Sequence, residues 1–71
     1  MPSLKRWYID DDGAVLGDLY KEDGTNYGFF VVINAKIVKQ NNGDLFVYDL
    51  RNPERVYRLE GKQVPITQVV T

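Results

Sequence analysis

A chain of 71 residues and 8.2 kDa has room for one small domain, spanning residues 1–71, in which roughly 60% of the unfolded surface becomes buried. Its 44% apolar and 27% charged residues suit a folded protein, while the absence of Cys excludes disulfides and thiolate metal sites and the absence of His removes the commonest general base near neutral pH. A net charge of −1 excludes a global field that would gather polyanions, although residues 1–35 carry three cations against six acids (−3) and residues 36–71 six against four (+2).

In chain order, Asp12-Gly13, Asp23-Gly24, Asn42-Gly43, Asn52-Pro53 and Glu60-Gly61 punctuate the sequence into strand-length pieces. Between them, residues 4–9, 14–20, 27–38, 45–50, 55–59 and 64–70 are rich in Val, Ile, Tyr, Phe and Thr and read as strands. Alternation assigns an inward set of Trp7 and Ile9, Val15 and Leu19, Leu45 and Val47, Tyr57 and Leu59, then Val64, Ile66 and Val70. The run Phe29-Phe30-Val31-Val32-Ile33 is apolar on both faces and suggests a central strand, with a bend or bulge at Asn34-Ala35 and a tight hairpin at Asn42-Gly43. Many short strands with frequent turns predict an all-β fold, a small antiparallel barrel of five or six strands of the oligonucleotide-binding or SH3-like type.

Catalytic chemistry is scarce. Without His or Cys, the remaining nucleophiles are Ser3, a few Thr and the five Tyr, with only Lys or carboxylates to activate them. No enzyme is therefore expected. Asp10-Asp11-Asp12-Gly13 invites a calcium reading, but the helix-loop-helix calcium loop needs glycine sixth and glutamate twelfth. Counted from Asp10, glycine is fourth and the twelfth residue is Lys21, so a solvated turn is the expectation and no metal site. The glycines are scattered among turns and form no phosphate-cradling loop, so no cofactor is expected. No segment approaches the ~18 consecutive apolar residues of a membrane span, and the first dozen residues lack the apolar middle of a secretory signal. Together with the missing Cys, this predicts a cytoplasmic protein without membrane contact.

The aromatic residues are the most informative feature. Tyr27-Gly28-Phe29-Phe30-Val31, followed by Leu45-Phe46-Val47-Tyr48, is expected to place rings on two adjacent strands, where alternate residues form a stacking platform for unpaired bases. That spacing resembles the paired aromatic motifs of cold-shock domains, and Leu59-Glu60-Gly61-Lys62-Gln63-Val64-Pro65-Ile66 resembles their later leucine, glycine and valine. The likeness spans residues 17–67. It departs from the family at Thr25-Asn26, where a basic residue is usual, at Leu19-Tyr20, where a Trp is usual, and at Tyr48, where a His is usual. Trp7-Tyr8-Ile9-Asp10, Gly13-Ala14-Val15-Leu16-Gly17, Asp23-Gly24-Thr25 and Val56-Tyr57-Arg58-Leu59 resemble small uncharacterised bacteriophage and prophage proteins. That likeness implies a mobile-element origin and supplies no activity; because small phage proteins without catalytic residues commonly occupy a host surface, it tilts the expectation toward protein contact.

Two functions follow. In the first, the domain is a phage-type regulator or inhibitor that binds a host protein through Trp7, Tyr8, Arg55, Tyr57 and Arg58, residue types that anchor interfaces. A strand edge could also join a partner's sheet or a second copy as a homodimer. In the alternative, Tyr27, Phe29, Phe46 and Tyr48 stack single-stranded nucleic acid while Lys36, Lys39, Arg51 and Arg55 meet phosphates.

Overall fold

The computed structural model describes residues 1–65, and all regular structure among them is β. Six strands follow one another: β1 (Ser3–Ile9), β2 (Val15–Tyr20), β3 (Asn26–Val32), β4 (Ala35–Lys39), β5 (Leu45–Asp49) and β6 (Val56–Leu59). They form one sheet in the order β3-β2-β1-β6-β5-β4. Among the described residues no helix is long and apolar enough to cross a membrane.

Three of the connections are copies of one hairpin device. In the turns at 10–14, 21–25 and 40–44, the first residue's N–H donates to the carbonyl of the fifth (2.7–3.0 Å). The fourth residue, always Gly, donates back to the first (3.0–3.1 Å). Gly13, Gly24 and Gly43 adopt φ of 83°, 90° and 93°, the left-handed conformation that this three-residue loop demands and that a side chain resists. Short polar side chains complete the turns: Asp10 Oδ1 accepts from the N–H groups of Asp12 and Ala14, Asp23 Oδ1 from Thr25 and Asn42 Oδ1 from Asp44. The three Asp residues at 10–12 thus belong to a turn that Asp10 caps.

The two meanders, β1-β2-β3 and β4-β5-β6, join along β1 and β6, which run parallel. Arg58 N–H donates to Pro2 O and Glu60 N–H to Leu4 O, each at 2.9 Å, the even spacing of a parallel ladder. The expectation of a purely antiparallel arrangement is corrected here. A second correction concerns the long apolar run, because residues 27–38 are two strands rather than one. The bend at Ile33 and Asn34 separates β3 from β4, and these strands occupy opposite ends of the sheet order. Two connecting residues span at most about 11 Å, so the sheet must curl until its two ends approach at that corner. No ladder among the described residues pairs β3 with β4, and the sheet is not closed into a barrel.

The concave side of the curl is the core. Leu4, Trp7, Val15, Val32, Val47, Tyr57 and Leu59 are buried there, with Leu19, Phe30, Ala35, Ile37 and Leu45 packed against them. Phe30 on β3 and Tyr57 on β6 are three strands apart, roughly 14 Å along the sheet, yet their ring centroids lie 5.3 Å apart across the concavity. A bulge tunes the inward pattern of β1. Lys5 opposes Asp18 and Tyr8 opposes Leu16, so Arg6 and Trp7 together face Gly17, and Arg6 takes φ 50°. The extra residue puts Leu4 and Trp7 on the same, inner face. Ile9, expected inside, sits at the strand end and is exposed. Val64 is half-buried and its N–H donates to Trp7 O, but Val64 and Pro65 are not in a strand; the rest of the expected sixth run, including Ile66 and Val70, lies outside the described residues.

Candidate functional site

The aromatic and arginine cluster expected to bind protein is not assembled. Trp7, Tyr8 and Tyr57 are all buried. Trp7 is turned inward by the bulge and its indole N–H reaches Gly61 O at 3.4 Å, while Tyr57 pairs with the fully buried Val47. Arg58 is exposed on the convex face of β6, and Arg55 lies in the connection after β5. With its amide oriented to suit both neighbours, Asn52 accepts from Arg55 Nε (3.1 Å) and donates to Glu54 Oε1 (2.8 Å), which ties Arg55 into its own loop.

The stacking platform is also divided. Tyr27 and Phe29 belong to β3, Phe46 and Tyr48 to β5, and four strand steps, roughly 19 Å along a curved sheet, separate the two strands. The expectation of adjacent strands is therefore corrected, for the same reason as the long run: β5 pairs with β4 and β6, not with β3. Lys36 is exposed on β4 opposite Tyr48, Lys39 ends β4, and Arg51 sits in the β5–β6 connection with its N–H on Asp49 Oδ1.

What the curl leaves outside is legible from register. Across the convex face run the rows Val38–Phe46–Arg58–Ser3–Tyr20 and Lys5–Asp18–Phe29, then Leu16–Val31, the last in register with Tyr8, which is buried. Cations lie over rings in three places: Lys5 Nζ 4.6 Å from the Tyr20 centroid, Lys21 Nζ 5.3 Å from Tyr27, and Arg58 5.9 Å from Phe46. Acids interleave with them. Lys5 pairs with Glu60 at 3.8 Å, and the Met1 amino group pairs with Glu22.

The largest unsatisfied feature is the edge strand β3. Phe29 and Val31 alternate along its regular part, 57 and 39% exposed, while Tyr27, at 60%, sits in a bulge where Gly28 takes φ 88° and Ile33, at 60%, lies in the bend beyond the strand. Exposed Leu50 is next to this row, its N–H on Asn34 O at 2.7 Å. Between Asp23 and Lys36 the sequence has no charged residue. The opposite edge, β4, carries Lys36 and Lys39, the charged residues that protect a strand from unwanted pairing. Among the described residues, one edge is blunted by charge and the other, apolar one pairs with no further strand. Val31, Ile33 and Leu50 were not anticipated as surface residues, although the alternation of Phe29 and Val31 is visible in the sequence once the strand is known to be an edge. Comparison with known proteins finds no matching family model, no matching curated protein and no matching solved structure.

Proposed function

We propose that this protein is a non-enzymatic protein-binding module that docks a partner along β3, with Phe29 and Val31 as the central contacts and the bulged Tyr27 and the bend residue Ile33 flanking them. The observation that carries this is an uncharged, exposed apolar edge at one end of the sheet order where the other end carries Lys36 and Lys39. Its side chains expose on the order of 400 Å² of largely apolar surface, at the level of the largest patch a monomer of ordinary design shows. An edge strand also offers a row of backbone donors and acceptors, so main-chain pairing supplies affinity and the projecting side chains supply selectivity. The curled sheet is read as a small barrel-like scaffold of the oligonucleotide-binding or SH3 kind, rigid enough to present that edge. The likeness to small phage proteins favours a cytoplasmic regulator or inhibitor of a host protein. The test is capture of a partner by the wild type and by a Phe29→Lys/Val31→Lys double variant. Loss in the folded variant supports the reading, and undiminished capture overturns it.

The three cation-over-ring pairs favour a second reading, single-strand nucleic-acid binding on the convex face as in cold-shock domains. Titration of labelled single-stranded DNA and RNA at two salt concentrations separates the two. Binding that weakens steeply with salt and with Phe46→Ala and Phe29→Ala supports it; no binding removes it.

A further inference from the structure

We propose that a hollow on the convex face is a binding site for a small phosphate-bearing ligand, with Arg58, Ser3 and Lys5 as the donors that hold the phosphate. The hollow lies over β6, β1 and β2 and is walled by the 21–25 turn. It measures about 350 Å³, within the ~300–1,000 Å³ of small-molecule sites. Register brings its donors together. Ser3 is paired with Arg58 on one side and Tyr20 on the other, and Lys5, two residues further along β1, projects from the same face. Neighbouring strands are ~4.8 Å apart and alternate residues of one strand roughly 7 Å, so a guanidinium, a hydroxyl and an ammonium start from points that one phosphate group can reach together. The platform is firm, because Leu4 and Leu59 of the same two strands are buried in the core behind it.

Charge pairing leaves the strongest donor uncommitted. Glu60 is taken up by Lys5 at 3.8 Å and Glu22 by the Met1 amino group. The Arg58 guanidinium has no carboxylate partner among the described residues, and its one described contact is the Phe46 ring at 5.9 Å. Lys21, over the Tyr27 ring, has no carboxylate partner there either. A planar guanidinium offers two parallel N–H groups to phosphate oxygens, and the lysines add charge. The acids set the size of the ligand. Asp18 opposes Lys5 on β2, Asp23 follows Lys21 in the turn, and Glu22 and Glu60 line the hollow itself. A single phosphate reaches the donors between these carboxylates, whereas a strand of successive phosphates would run across them and be repelled. The site therefore suits a small ligand rather than a nucleic-acid backbone, and it does not depend on docking at β3.

Amide shifts in isotope-labelled protein titrated with inorganic phosphate, adenosine monophosphate and a single-stranded oligonucleotide read the site directly. With the first two probes, saturable shifts are expected at Ser3, Lys5, Tyr20, Lys21, Arg58 and Glu60. Arg58→Gln should weaken them about tenfold and Lys5→Gln less, each with unchanged circular dichroism. Lys62→Gln, which does not line the hollow, should leave them unchanged. Tighter binding of the ester than of phosphate makes the organic group part of the ligand, and equal affinity makes phosphate itself the ligand; both support the site. Shifts that fail to saturate, that spread equally to Lys36 and Lys39, or that survive Arg58→Gln overturn the inference. Tighter binding of the oligonucleotide, steepening with its length, also overturns it and leaves the convex face as a strand-binding surface. None of these outcomes touches docking through β3, which is read by partner capture on a separate edge.

Discussion

Gly17 shows how closely one side chain can determine its neighbour's identity. A Cβ placed there would lie 3.0 Å from Lys5 O, 3.1 Å from Trp7 Cβ and 3.2 Å from Trp7 Cα, atoms at or next to the backbone that cannot swing away. Gly17→Ala is expected to cost about 1–3 kcal/mol, read as a lower urea midpoint, through displacement of the β1 bulge. Gly13→Ala has nothing within 4 Å and meets only the positive-φ penalty of roughly 1–2 kcal/mol, so its bulge should persist in amide shifts of Arg6 and Trp7. Asp23 is the residue whose acidity reports turn formation. The Thr25 hydroxyl, and then its backbone N–H, hydrogen-bond the carboxylate and hold its pKa below the ordinary 3.8. The folded pKa lies below the unfolded one, so the turn's contribution is complete above the ordinary carboxylate value and is lost as pH falls through the lowered one. An NMR titration should give Asp23 a midpoint below 3.8, and Thr25→Val should move it back up.

At the scale of elements, the seam between β1 and β6 decides whether two three-stranded meanders behave as one sheet. Only Ser3 with Arg58 and Leu4 with Leu59 are in register there. Yet Leu4 is fully buried and Leu59 is buried, so the seam runs through the core. Hydrogen exchange should therefore find the amides of Arg58 and Glu60 protected to nearly the global unfolding limit. Amides on the outer edge of β3 should exchange far faster. Fast exchange at Glu60 would mean that the meanders open independently. The three turns were legible in the sequence because Asp-Gly and Asn-Gly carry local backbone chemistry that neighbours do not alter. The division of residues 27–38 was visible only as a bend at Asn34-Ala35. Nothing in those residues says that the strand on either side of the bend goes to opposite ends of a sheet.

For the whole molecule, the decisive distribution is rings in versus rings out. Phe29→Lys/Val31→Lys changes two exposed side chains on the convex face and is expected to leave stability within about 0.5 kcal/mol while abolishing association through β3. A large drop in thermal midpoint in this variant would show that those side chains support the fold rather than a contact. Little of the candidate docking edge was legible: Tyr27 and Phe29 stood out in the sequence as rings for stacking bases rather than as part of an edge, and Val31 and Ile33 read as core. Trp7, Tyr8 and Tyr57 looked equally suited to an interface, because Trp and Tyr serve cores and surfaces alike and the alternation of a short strand does not say which face is covered.

By itself the sequence determined the all-β character of the described residues, where the Asp-Gly and Asn-Gly hairpins turn, and that the chain holds no His or Cys. These are properties of single residues and their immediate neighbours. Only the tertiary structure decided that β1 meets β6 in parallel, that Trp7 and Tyr57 are sealed inside, and that, among the described residues, an uncharged strand ends the sheet. Those outcomes depend on pairings between residues about fifty positions apart and on one extra residue at the Arg6 bulge, which local periodicity does not encode.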